Sequence, residues 1–270
     1  MEKITSSANP LVKKIRKLHD RKFRAETSLA YIEGVRIVLE AVQQNVPIEK
    51  LILSETFLND PKREFISSRL KTKNIDSVVV TDSVFQAFSD KEGPQGIGAI
   101  ISQKWLPFSD LTKVFHGIWV CLWEIADPGN LGTILRTMDG VGAEGVILTG
   151  NCTDPYDPGA LRASMGALFS KNLVKSSQED LIRWVKDYQI FTIGTSDSGK
   201  INYREVTYPA NMLLMMGSER QGLPPSLTEI CQRIVSIPMK GTADSLNLAV
   251  ATGILLYEIY EQLNKVENTG

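Results

Sequence analysis

Three stretches of this chain end an apolar run in glycine and in polar side chains whose types can do chemistry. In DPGNLGTILRT, Asn130 offers an amide and Arg136 a guanidinium, while Leu131, Ile134, Leu135 and Met138 recur at helical spacing. Asn130 is placed to cap that helix, and Arg136 projects away from the apolar stripe, free to meet an anion. In MMGSERQGLP, Gly217 lets a ligand approach the backbone and Glu219 brings a carboxylate to the mouth of a strand. In SIPMKGTADSLNLAVATG, Ile237, Pro238 and Met239 leave a strand, and Asp244 or Ser245 caps a long helix whose first turn carries Leu246 and Asn247. Taken one at a time, a helix cap, a surface arginine and a core stripe account for most of these residues.

Two other motifs lack the context their chemistry needs. Gly140, Gly142 and Gly145 spell G-x-G-x-x-G, but a dinucleotide site needs a strand before the glycines and a helix after them. Here a helix precedes and the strand GVILT follows, so the glycines read as a helix end and a tight turn. Gly194 to Lys200, GTSDSGK, matches G-x-x-x-x-G-K after a strand, yet Ile201 stands where a P-loop needs a hydroxyl for Mg²⁺. INYREVTYP then shows no helical period, which favours a polar loop at the carboxyl end of a strand, lining a ligand crevice.

The elements that must position these residues alternate along the chain. After Pro10, Leu11, Ile15 and Leu18 mark an amphipathic helix. AYIEG, KLILS, SVVVTD and GIGAIIS read as strands, with helices over Val35 to Val42, Pro61 to Lys71 and Ser83 to Phe88. QKWLPFSDLTK has no clean period and carries Pro107, which sets a boundary. Beyond it, strands over Gly117 to Trp123, Gly145 to Thr149, NLV, IFTIG, MLLMMG and RIVSIP alternate with helices. Those helices are Leu131 to Gly140, Pro158 to Leu168, Leu181 to Tyr188 and Leu246 to Leu263. Continuous apolar strands of this kind imply a mostly parallel sheet covered on both faces. The expected organisation is α/β throughout, with domains at 1–103 and 114–270 joined by a linker at 104–113.

Composition narrows the class. A chain of 270 residues that is 43% hydrophobic and 23% charged can bury substantial cores, which excludes disorder, collagen-like and coiled-coil architectures as the main state. Cys121, Cys152 and Cys231 and the two histidines, His19 and His116, are too scattered for a zinc cluster or a disulfide framework, so no metal is expected. No run approaches the roughly 18 apolar residues of a membrane span, and MEKITSSANP has no signal-peptide pattern. The expectation is a soluble, cytoplasmic protein. Thirty basic against thirty-one acidic residues hide an asymmetry: residues 1–24 hold eight cations against Glu2 and Asp20, a net of +6. Such a segment suits phosphate-backbone binding through counterion release; a solvated lysine-rich helix is the other reading.

The ordered set N-L-G-T-I-L-R, then G-S-E-x-x-G-L, then I-P-M followed by S-L-N, resembles the three motifs of the SpoU/TrmH family of RNA 2'-O-ribose methyltransferases. DPGALRASMGALF, PQGI at Pro94 to Ile97 and EGVRIVLEA resemble the same family, so the likeness spans nearly the whole chain; Asp139-Gly140 departs from a more usual small pair. The resemblance implies a ribosomal-protein-like RNA-binding domain, then a catalytic domain with a deep trefoil knot, S-adenosylmethionine as cofactor, and a homodimer. It implies catalytic roles for Asn130, Arg136, Glu219, Ser245 and Asn247, and cofactor contacts at Thr195, Gly217, Ile237, Met239 and Leu246. Lys14, Arg16, Arg21 and Arg36 are the expected phosphate contacts, joined by Arg162 from the catalytic domain. The two-domain layout is closer to the 23S rRNA branch. A tRNA substrate, a non-catalytic RNA-binding factor on the same fold, and an NTP-using enzyme resting on GTSDSGK stand as alternatives.

Overall fold

Asn9 opens the first helix by accepting the Leu11 N–H at 2.8 Å, and Pro10 supplies the preset first position of α1 (Pro10–Lys17). This computed structural model describes residues 2–60, 75–90, 93–242 and 244–267. By contacts the chain divides into two units, Met1–Lys104 with Tyr156–Phe169, and Trp105–Pro155 with Ser170–Gly270.

In the first unit a second helix, α2 (Arg21–Thr27), follows directly, capped by Asp20, a break the apolar spacing did not announce. Arg24 on it is 1% exposed. It donates to the Leu18 and His19 carbonyls, both at 2.9 Å, and pairs with Asp157 at 3.7 Å. One of the eight N-terminal cations is therefore part of the interior. The sheet comprises β1 (Glu2–Ile4), β2 (Leu29–Glu33), β3 (Ile48–Ser54), β4 (Ser77–Val80) and β5 (Ile97–Ser102), in the order β1-β4-β3-β5-β2. β1, β4 and β3 run parallel, and β5 is antiparallel to both β3 and β2. α3 (Val35–Gln43), α4 (Glu55–Leu58) and α5 (Asp82–Gln86) complete the regular elements described here. The helix expected over Pro61 to Lys71 falls outside the described residues.

The second unit is built on β6 (Ile118–Trp123), β7 (Gly145–Thr149), β8 (Asn172–Ser176), β9 (Thr192–Thr195), β10 (Ile201–Asn202), β11 (Met212–Met216) and β12 (Arg233–Ser236). Their order is β10-β12-β9-β11-β6-β7-β8, and every pairing is parallel. β7 and β11 are buried at every position, as strands covered on both faces must be. Trp119, Leu213 and Met215 sit in this core fully buried, each contributing roughly 1.5–3 kcal/mol of transfer free energy. The helices are α6 (Leu111–Val114), α7 (Pro128–Gly140), α9 (Gln178–Asp187), α10 (Pro225–Thr228) and α11 (Leu248–Glu267); α8 (Pro158–Ser164) groups with the first unit.

Several boundaries differ from those the sequence suggested. α7 begins at Pro128 and is capped by Asp127, whose carboxylate takes the Asn130 N–H at 2.6 Å; Asn130 is not the cap. α11 begins at Leu248, and Asn247 accepts from the Ala249 and Val250 N–H groups, so neither Asp244 nor Ser245 caps it. α8 stops at Ser164 because Met165 turns left-handed, at φ 54°, before a 3₁₀ turn at Ala167–Ser170. The aperiodic QKWLPFSDLTK holds a 3₁₀ turn at Phe108–Asp110 and α6. Gly140 ends α7, Gly142 at φ +71° makes the turn and Gly145 opens β7, so the glycines form a helix end and a tight turn. GTSDSGK runs from β9 through a turn into β10, with no helix to receive a phosphate.

Candidate active site

Asn130 is held at both ends of its side chain. Its Nδ2 donates to Glu219 Oε1 at 2.9 Å, and its Oδ1 accepts from Asn247 Nδ2 at 2.9 Å. The Asp127 cap fixes the Asn130 backbone, and Asn247 is fixed in turn by capping α11. The amide orientation follows from the chemistry: only the NH₂ end can face a carboxylate. Glu219 rides on a tight loop closed by reciprocal Ser218 and Gly222 backbone bonds of 3.2 and 3.0 Å, with Gly222 at φ +65°.

Beside this chain of amides lies a cavity of about 1220 Å³. The loops after β9, β11 and β12 line it, at the carboxyl ends of parallel strands. Thr195, Gly217, Ile237, Met239 and Leu246 all line it, as do Glu219 and Ser245. Glu219 thus belongs both to the cavity wall and to the amide chain. Gly217 is required by close packing: a Cβ there would collide with the backbone of Gly222 and Leu223. The Gly199 backbone likewise lies against Val235, where a Cβ would stand 2.9 Å from its carbonyl carbon. Cys231 also stands in the wall, a place no motif or spacing announces; burial pushes its thiol up to about 12. Burial does the same to Cys121 and also raises Cys152, so the cysteines are not poised as thiolate nucleophiles.

Arg136 stands outside this cluster. It is exposed on α7, six residues beyond Asn130 and so about 9 Å along the axis, and it has no ion pair or hydrogen bond among the described residues. In the first unit, Lys14 pairs with Glu49 at 2.5 Å and Arg16 donates to the Ala87 carbonyl at 3.2 Å, while Arg21 opens α2 exposed. Arg36 and Arg162 are exposed and line one cavity. By contacts α8, and Arg162 with it, groups with the first unit. Among the described residues no group of three or more His, Cys, Asp or Glu side chains could hold a metal ion.

Residues 117–257 match the SpoU rRNA methylase family, and residues 9–99 match the MRM3-like substrate-binding domain. The chain belongs to the SpoU rRNA methylase family. A SpoU relative of nearly full length, the 23S rRNA (guanosine(2553)-2'-O)-methyltransferase RlmP of Bacillus subtilis, is 30% identical over 96% of this chain and 99% of its own. An AdoMet-bound rRNA methyltransferase from Sinorhizobium meliloti superposes with a TM-score of 0.88 at 35% identity, covering 97% of this chain and 98% of that one. The SpoU methyltransferase AviRb of Streptomyces viridochromogenes, in complex with AdoMet, gives 0.85 at 26% identity, over 95% and 98%. Within this SpoU chain, the three motif segments are the ones that build the amide chain and the cavity wall.

Proposed function

We propose that this chain transfers a methyl group from S-adenosylmethionine to a ribose 2'-hydroxyl of 23S rRNA. The observation that carries the reading is the hydrogen-bonded run Glu219–Asn130–Asn247, three residues from three separate segments, which meets the 1220 Å³ cavity at Glu219. The residues present fit the cofactor. Gly217 keeps the wall thin, Ile237, Met239 and Leu246 offer apolar surface, and the Thr195 hydroxyl lines the same space. Bound there, S-adenosylmethionine supplies an electrophilic methyl group. The substrate assignment is supported by the 23S rRNA named for RlmP, which covers nearly the whole chain.

In this reading the protein contributes mainly position. Glu219 and Asn130 orient the cofactor end of the site, and Ser245 lines its entrance. Arg136, whose guanidinium no described group holds, binds the target phosphate and polarises the ribose hydroxyl. An arginine keeps its proton in proteins and is a poor base, so the hydroxyl proton leaves with help from the phosphate. Three finer features belong to the same proposal. A trefoil knot is supported by the insertion of β12 between β10 and β9 after the chain has already laid β11 on the other side of β9. A homodimer is supported by Val250, Tyr257 and Tyr260, 44–55% exposed on one stripe of α11. A reducing, cytosolic location agrees with three cysteines that form no disulfide among the described residues.

The test is transfer of labelled methyl from S-adenosylmethionine to unmodified rRNA and tRNA in parallel. Alkali-resistant label at one 23S nucleotide, lost in Arg136→Ala, is the expected result. Label in tRNA alone overturns the substrate, and no label in any RNA together with no cofactor binding overturns the enzyme.

A further inference from the structure

The first unit contains a second cavity, of about 440 Å³, all of whose lining residues belong to that unit. This is within the range of about 300–1,000 Å³ typical of ligand sites. Among its lining residues, His19 Nε2 and the Tyr31 hydroxyl are buried and have no partner of normal hydrogen-bond geometry among the described residues, although the Glu33 carboxylate lies close enough to act on the Tyr31 hydroxyl. Folding rarely leaves such atoms unsatisfied, and a phenylalanine in place of Tyr31 would avoid the orphan hydroxyl altogether.

Both groups are nevertheless held in place. Tyr31 is 7% exposed and packs edge-on against Phe88, at 5.7 Å between centroids. Its hydroxyl reaches across Gly98, where any Cβ would collide with the ring and the oxygen. Burial first, then the Glu33 and Asp90 charges and a hydrogen-bonding contribution from Glu33, raise the phenol well above its ordinary range, so it remains an O–H donor that Glu33 orients. His19 is oriented by Asp90, with Nδ1 and Oδ2 at 2.6 Å, which makes Nε2 an acceptor in the neutral ring. Glu33, accepting from Ser89 Oγ at 2.7 Å, adds a carboxylate to the wall. At the rim stand the exposed guanidinium groups of Arg36 and Arg162.

An interior rich in acceptors with one hydroxyl donor suits a flat group bearing N–H donors, and two arginines suit the phosphates on either side of it. Unstacked bases read at their edges are the usual means of sequence-specific RNA recognition. We propose that this cavity receives one unpaired, amino-bearing nucleobase of the RNA substrate, with Tyr31 and His19 reading its edge and Arg36 and Arg162 holding its flanking phosphates. The proposal rests on the RNA reading above and adds a base-recognition site remote in sequence from the methyltransferase motifs.

Fluorescence anisotropy of labelled ribonucleotide dodecamers of adenylate, cytidylate and uridylate tests it on the full chain. The adenylate and cytidylate strands should bind about fivefold more tightly than uridylate, which lacks an amino group. Tyr31→Phe should abolish that preference while leaving the unfolding temperature and S-adenosylmethionine affinity unchanged; His19→Gln is the second variant. Joint replacement of Arg36 and Arg162 by alanine should weaken all three strands alike and lower the salt slope by about 1.4. Equal binding of the three strands by the wild type, or an unchanged preference in Tyr31→Phe, overturns the base pocket. So does a loss of binding that merely tracks a fall in unfolding temperature. Competition by free AMP as effective as by the adenylate strand assigns the cavity to a free nucleotide and overturns it too. Methyl transfer to rRNA, assayed separately, distinguishes these failures from failure of the enzymatic reading.

Discussion

At the scale of single residues the site depends on hydrogen-bond direction. Asn130 can donate to Glu219 and accept from Asn247 only as an amide. Asn130→Asp would set two carboxylates against each other. Turnover is expected to fall on the order of a hundredfold, the cost of a misplacement of about 1 Å, with cofactor affinity by calorimetry kept within about twofold. Asn247→Asp separates two roles, since a carboxylate still caps α11 but cannot donate to Asn130. Its unfolding temperature should stay near the wild-type value while turnover drops. The thiols offer an independent check. With Cys121 and Cys231 pushed up to about 12 by burial, their thiolate fraction at pH 8 is on the order of one in ten thousand. A disulfide reagent should titrate all three cysteines of the unfolded chain while leaving the native chain largely unmodified.

At the scale of elements, caps and close approaches carry the predictions. Asp127 both starts α7 and fixes the backbone of Asn130. Asp127→Ala should therefore cost about 1 kcal/mol of stability, seen as a fall of a few degrees in unfolding temperature, together with a loss of turnover. Gly217→Ala drives a methyl group into the Gly222–Leu223 backbone and should weaken S-adenosylmethionine binding at least about tenfold. In the first unit Asp82 accepts from Thr56 Oγ1 at 2.7 Å and from its N–H at 3.0 Å, which lowers the carboxyl from its ordinary 3.8. Its contribution is present above that ordinary value and lost as pH falls through the depressed one. Thr56→Val removes the hydroxyl bond, so the acid-unfolding midpoint, followed by circular dichroism, should move to higher pH.

At the scale of the molecule, the exposed stripe of α11 and the distribution of charge matter most. Val250, Tyr257 and Tyr260 recur at i, i+7 and i+10, an apolar face that a lone chain leaves to water. If the homodimer proposed above uses this stripe, replacing Tyr257 and Tyr260 by glutamate should shift the sedimenting species from two chains to one. The N-terminal cations are less available than their number suggests, because Arg24 is buried, Lys14 is paired and Arg16 binds a carbonyl. Binding to RNA should then show a salt slope smaller than eight phosphate contacts would give.

Local chemistry alone settled much of this protein. Alternation of apolar strands and striped helices fixes the α/β class, and fully apolar runs such as MLLMM require a sheet covered on both sides. The missing hydroxyl at Ile201 and the reversed order around Gly140 dispose of two nucleotide motifs without coordinates. The caps of α7 and α11 differ from those the sequence suggests because neighbouring Asp, Asn and Ser side chains compete for the same N–H groups, and backbone geometry selects among them. Only the tertiary structure joins Asn130 to Glu219, 89 residues away, and to Asn247, 117 residues away. It also groups α8, and with it Arg162, with the first unit by contacts, and brings the Tyr31 hydroxyl and His19 Nε2 into the lining of one cavity without a partner of normal hydrogen-bond geometry among the described residues. Periodicity reports which face of an element is buried, whereas sheet order and loop packing decide which distant side chains meet there.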